Sequence, residues 1–199
     1  MPDKGLRERT NRPAAFVVKL PLLLFYHCFD TLTVIGRPVW SPVFCNMKKI
    51  LIKSGTVVTN GNSYQADILI VDNKIEAIAP SIEPQDDTEI YDASGCLVTY
   101  GLVDVHTHLR EPGFSEKETI ATATAAAAHG GFTTIFAMPN LFPCPDSVET
   151  ISIEQSLIDA QAVIEVRPFA TITKGRRGNE VVDVESLIPY CAGFSDDGN

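Results

Sequence analysis

Asp104-Val105-His106-Thr107-His108-Leu109-Arg110 closes an apolar stretch that begins near Leu97. Side chains on a β-strand alternate with period two, so His106 and His108 are expected to point the same way. Their ring nitrogens can then converge on one metal, and neutral imidazole is the commonest protein ligand for zinc and its neighbours. Arg110 is expected on the same face, where it would anchor an acidic substrate. Histidines at this spacing also occur by chance, but the surroundings favour a site. Gly101 precedes the strand, Glu111-Pro112-Gly113 breaks it, and a capped helix comes next. Ligands at the C-terminal tip of a strand, before a loop and a helix, are where a (β/α) barrel places its chemistry.

The elements that must position these groups begin at residue 97 with strand–helix alternation, which implies parallel strands joined by crossover helices. The first strand is expected over Leu97 to His108. Ser115-Glu116-Lys117-Glu118 reads as a capping box for an alanine-rich helix, Ile120 to His129, that stops at Gly130-Gly131. His129 there suits the helix dipole rather than a ligand role. A strand over Phe132 to Met138 ends in Pro139-Asn140. A second helix is expected to open at Asp146, with Glu149 three residues on. Strands are then expected over Val163 to Thr173 and Cys191 to Ser195, the last leading into Asp196-Asp197-Gly198. This is α/β architecture with four β/α units, where a closed barrel needs eight in about 250 residues. The expectation is the N-terminal half of a TIM barrel over residues 97–199.

Residues 47–96 are β-rich, with strands expected at Ile50 to Thr59, Asp67 to Val71 and Ile75 to Ile78, and a further short one near Ile90 and Tyr91. They form a small β domain, read as a β-sandwich segment, at the margin of independent stability. Residues 1–46 differ in character from the rest of the chain. Lys4, Arg7, Arg9 and Arg12 precede an apolar run from Ala14 to Phe29 that holds Lys19, Pro21 and His27. No small-x-small cleavage site ends it, and it is too short to span a bilayer. Met47-Lys48-Lys49 looks like a natural start, so 1–46 is read as an extension with no native fold, a targeting segment being the other reading.

The net charge of −9 argues against non-specific nucleic-acid binding, which needs clustered Lys and Arg. Five scattered cysteines (Cys28, Cys45, Cys96, Cys144, Cys191) without C-x-x-C spacing suggest reduced thiols and a cytoplasmic protein. Three strand tips carry groups suited to one site: His106, His108 and Arg110, then Asn140, then Asp196 and Asp197. Two histidines and a carboxylate make a reasonable zinc shell, Arg110 can grip a carboxylate bidentately, and Asn140 can add a donor. Asn140 after Pro139 can equally be a turn residue, and Asp196-Asp197-Gly198 a surface turn.

The runs Gly101 to Phe114, Gly130-Gly-Phe-Thr-Thr134, Ala137-Met-Pro-Asn140 and Phe194-Ser-Asp-Asp-Gly198 resemble bacterial dihydroorotases, cyclic-amide hydrolases of the amidohydrolase superfamily. The resemblance covers Met47 to Asn199. It implies that His106 and His108 ligate one zinc of a pair, and that Arg110 and Asn140 bind the carboxylate of dihydroorotate. Asp197 would bridge the metals, with Asp196 as the other candidate. Many relatives place a carboxylated lysine at that point, but the last lysine here is Lys174. The implied reaction is reversible, zinc-dependent hydrolysis of dihydroorotate to N-carbamoyl-aspartate in pyrimidine synthesis. The implied partners are this small-molecule substrate and, beyond it, a second copy or aspartate carbamoyltransferase, with neither nucleic acid nor membrane involved.

The family's further histidines and catalytic aspartate come from later strands, so this stretch is expected to be inactive and poorly folded alone. Three other readings are open: an allantoinase or dihydropyrimidinase, a non-catalytic dihydroorotase-like scaffold, and a truncated gene product.

Overall fold

The computed structural model describes residues 49–59 and 61–198, and the backbone alone of three short strands before them: β1 (Ala15–Lys19), β2 (Leu22–Tyr26) and β3 (Leu32–Val34). β1 to β3 pair antiparallel in turn, and β1 lies against β8 (Leu97–Tyr100). The rest of the 1–46 extension lies outside the described residues.

Alternating apolar residues build the small β domain around β4 (Lys49–Thr59), β5 (Asn62–Val71), β6 (Lys74–Ala79) and β7 (Thr88–Asp92). Ile50, Ile52, Val57, Ile68, Ile70 and Val98 fill its core. A bulge divides β4 between Ile52 and Gly55, and bulges bend the strand that carries them. On the other side the first half of β4 pairs with β7 and the second with β8, so the bulge marks the point where β4 changes partner. Asp67, 3% exposed, accepts from the N–H groups of Ser54 and Ile82 and pairs with Lys53.

The single strand expected over Leu97 to His108 is two strands in two sheets. β8 joins the small domain, and β9 (Leu102–Thr107) opens the second sheet. Gly101 is the break because the chain passes hard against Thr133. A Cβ at Gly101 would lie 2.2 Å from the Thr133 methyl and 2.3 Å from its hydroxyl. Leu102 N–H then donates to Gly131 O (2.9 Å), fixing the entry into the sheet.

The second sheet runs β12-β11-β10-β9, all parallel, with β10 (Phe132–Ala137), β11 (Glu165–Ala170) and β12 (Gly193–Phe194). Helices α1 (Ile120–His129) and α2 (Val148–Gln161) cover one face, burying Ile120, Ala128 and Ile158 against Ile135, Ala137 and Val166. Each of the isoleucine and valine side chains among them contributes about 1.5–3 kcal/mol on full burial. A short α3 (Val184–Leu187) precedes β12. β9 is an edge strand, with Val103 and Val105 exposed.

Both helix starts differ from the expected ones. α1 is capped by Thr119 with Thr122, and Ser115 instead donates to Glu111. The other Glu111 oxygen accepts from Ile120 N–H at 3.0 Å, a cap supplied from nine residues upstream. α2 is capped by Ser147 with Thr150, which leaves Asp146 to accept from Gly175 N–H at 2.9 Å.

Glu154 lies on the buried face of α2 with Ile151 and Ile158, 1% exposed, and neither carboxylate oxygen has a hydrogen-bond partner. Burial pushes its carboxyl well above the ordinary glutamate range. The folded chain therefore keeps this proton while the unfolded chain releases it, so stability falls as pH rises above the ordinary range. Glu154→Met is expected to raise stability near neutrality by about 1–3 kcal/mol and to flatten that slope. Urea unfolding at about pH 5 and about pH 8 measures both; an unchanged slope would mean that Glu154 is paired.

Candidate metal centre

β9 carries His106 at its C-terminal end, and His108 lies one residue beyond the strand. The ladder with β10 is irregular between Ile135 and Ala137, so strict alternation does not aim the two rings. They converge nevertheless, with ring centroids 5.2 Å apart and nearly edge-on. Asp104, two residues before His106, accepts from its backbone N–H (3.0 Å) and steadies the strand end.

Asp197, three residues beyond the end of β12, completes the group. Its Oδ2 lies 3.7 Å from His106 Nε2 and 3.5 Å from His108 Nε2, and all three donor atoms fall within 4.8 Å of one another. Those spacings are too long for hydrogen bonds of good geometry. The Asp197 Oδ2 atom is itself buried and has no hydrogen-bond partner, an arrangement that costs about 1–3 kcal/mol unless something fills it. Four ligands about 2.0–2.1 Å from a tetrahedral zinc stand roughly 3.3–3.4 Å apart. The residues present fit a divalent cation.

Asn140 supplies a second observation. His108 Nδ1–H donates to Asn140 Oδ1 at 2.8 Å. Oδ1 can only accept, so Nδ1 carries a proton, and in the neutral imidazole that ligates a metal the lone pair is then on Nε2, the nitrogen that faces Asp197. A lone pair and a carboxylate oxygen then confront each other across 3.5 Å. A proton could bridge two of the three acceptors, whereas a divalent ion can join all of them. Fixing the far nitrogen of a ligating histidine is how outer partners set its tautomer.

The neighbouring carboxylate does something else. Asp196 Oδ1 accepts from Ile172 N–H and Thr173 N–H, and its Oδ2 from the Thr173 hydroxyl. Burial pushes its pKa up, but those bonds and Arg176 outweigh it and hold the carboxyl below the usual range. Of the two aspartates, Asp197 is the one beside the histidines.

Arg110 departs from its expected place. It does not continue the strand face: its backbone is left-handed (φ 65°), and its carbonyl accepts from Phe114 N–H in the turn after the strand. Among the described residues, no hydrogen bond or ion pair joins its guanidinium to the three-residue group. Thr173, Arg176 and Ser195 were not singled out in the sequence, yet they hold the chain on either side of Asp197. Gly175 and Gly178, on either side of Arg176 and Arg177, are the local marks of that turn.

A parallel βα sheet with a His-x-His pair at one strand end and an aspartate beyond another defines a candidate metal-binding α/β protein. The chain belongs to the dihydro-orotase-like family, whose model matches residues 95–198. It is 53% identical over 149 residues to the dihydroorotase of Staphylococcus aureus strain Mu50, covering 74% of this chain and 35% of that protein. The dihydroorotase of Fusobacterium nucleatum is 46% identical over 149 residues, covering 75% and 35%. Among solved structures, L-hydantoinase (dihydropyrimidinase) from Arthrobacter aurescens superposes with a TM-score of 0.62 at 22% identity, over 75% of this chain and 32% of that one. At that identity the shared feature is the fold. The chain spans about a third of the length of the curated relatives it matches.

Proposed function

We propose that this chain carries the metal-binding and substrate-anchoring part of a dihydroorotase, which interconverts dihydroorotate and N-carbamoyl-aspartate by hydrolysing one ring amide. The observation that carries this reading is the buried, unpartnered Asp197 Oδ2 facing two imidazole nitrogens. His106 Nε2, His108 Nε2 and Asp197 Oδ2 would hold zinc, a metal suited to nitrogen and carboxylate ligands. Bound there, zinc would supply a Lewis acid that brings the pKa of water towards neutrality. Three ligands cannot fill the shells of two ions, so a zinc pair would draw ligands from elsewhere in the protein.

The remaining work falls to Arg110 and Asn140. Asn140 Oδ1 is engaged by His108, which leaves its Nδ2 amide as a donor for a substrate carboxylate. Arg110 would add the bidentate, charge-assisted contact. A substrate held by both is also held relative to His108, because Asn140 touches the two at once, and orientation of this kind lowers the barrier. A domain boundary at Gly101 goes with this reading, as does a cytoplasmic setting. Cys96, Cys144 and Cys191 are free thiols, and no described helix is long and apolar enough to cross a membrane.

The test uses the protein expressed from its whole reading frame, assayed in both directions with dihydroorotate and N-carbamoyl-aspartate and, in parallel, with hydantoin and allantoin. The expected result is turnover of the first pair, lost on chelation and restored by zinc. Preferential turnover of the uncharged ureides would overturn the substrate assignment. Asn140→Leu is expected to raise KM and also to weaken metal binding by about 10–100-fold. A change in KM alone would leave Asn140 with a substrate role only.

A further inference from the structure

β12 is only two residues long and ends at Phe194, so no ladder bond reaches Asp197 and strand alternation cannot aim it. Side chains from the loop after β11 and from the two residues before Asp197 do so instead. We propose that Thr173, Arg176, Ser195 and Asp196 form a clamp that points the Asp197 carboxylate at the two imidazoles, making them positioning residues of the metal centre. The proposal rests on the reading of His106, His108 and Asp197 as metal ligands.

Asp196 ties the tip of β12 to the loop after β11. Its Oδ1 accepts from Ile172 N–H (2.9 Å) and Thr173 N–H (3.1 Å), and its Oδ2 from the Thr173 hydroxyl (2.6 Å). That hydroxyl also receives Gly178 N–H (2.9 Å), so Thr173, 8% exposed, is committed on both sides. Asp146 fastens the same loop from the start of α2 through Gly175 N–H.

Gly175 and Arg176 are both left-handed (φ 58° and 57°), which turns Arg176 back so that Nη1 donates to Asp197 O at 2.7 Å. Ser195 Oγ accepts from Asp197 N–H at 3.0 Å. The peptide groups on both sides of Asp197 are thus held by side chains. Gly198 lets the clamp close. Its φ is +90°, and a Cβ there would stand 3.2 Å from Arg176 Nη1 and 3.4 Å from Asn140 Nδ2. The three residues Asp196-Asp197-Gly198 therefore divide into an anchor, a ligand and a contact point.

Charge-neutral variants test this without altering the Coulombic field at the metal. In the protein expressed from its whole reading frame, Thr173→Val and Ser195→Ala are each expected to weaken cobalt(II) and zinc(II) binding by about 10–100-fold, with Thr173→Ser restoring it. Affinity is read by competition with a chromophoric chelator, and the melting temperature of each metal-free variant is recorded alongside. A merely structural role would lower the melting temperature and leave the affinity of the folded metal-free protein as in the wild type; that result overturns the clamp. Ser195→Ala, on a half-buried strand tip, carries the same decision if valine at 173 unfolds the loop. Should the wild type bind neither ion, the metal centre itself fails, and the clamp with it.

Discussion

Asp197→Asn is expected to abolish metal binding and to cut hydrolysis by roughly three orders of magnitude or more, because the unassisted reaction lacks an ionised water near neutrality. The substitution keeps the shape and removes the negative charge. The asparagine amide can also present an N–H donor where Oδ2 now faces two imidazole nitrogens at 3.5 and 3.7 Å. A donor among those acceptors relieves the buried oxygen that otherwise has no partner. The metal-free variant should therefore be at least as stable as the metal-free wild type, by up to about 1–3 kcal/mol. Metal stoichiometry, turnover and thermal unfolding read the three effects separately. Loss of activity together with loss of stability would point to a structural aspartate, and retention of metal would remove Asp197 from the shell.

Arg110→Met should separate two substrate classes. Hydrogen bonds to a charged group contribute about 1.5–3 kcal/mol each. Losing a bidentate contact to a carboxylate is expected to lower kcat/KM for dihydroorotate by roughly 100- to 1,000-fold. Hydantoin and allantoin carry no carboxylate, so any turnover of them should change by less than about fivefold. The backbone at position 110 is left-handed in a turn, and methionine there bears the same conformational cost as arginine. A parallel fall on all substrates would show that Arg110 shapes the loop rather than reading a carboxylate.

How far the sequence reveals this molecule depends on the range of each interaction. β/α alternation, the alanine-rich helix and its glycine stop arise from local pattern, and all appear close to where expected. His106 and His108 converge, and Asn140 reaches the same site because parallel strands bring their ends to one side. What stayed hidden depends on partners distant in the chain. Gly101 breaks the strand because of Thr133, thirty-two residues on, and Glu111 caps α1 across a loop. Arg110 leaves the strand face because the chain has already turned into the Arg110–Phe114 bond. Asp196 and Asp197 look equivalent in the sequence, and only the loop at 172–178 distinguishes them. Side-chain alternation predicts that one of the pair faces inward. Which one does is set by hydrogen bonds that no local pattern records.

The most direct test of the central claim is X-ray absorption at the zinc edge on the zinc-loaded protein expressed from its whole reading frame, compared with His108→Ala and Asp197→Asn. The expected spectrum shows nitrogen and oxygen scatterers at about 2.0–2.1 Å with imidazole outer-shell features, reduced by one histidine in the first variant and lost in the second. A wild-type spectrum dominated by sulfur at about 2.3 Å, or one unchanged by either substitution, would place the zinc elsewhere and contradict the account.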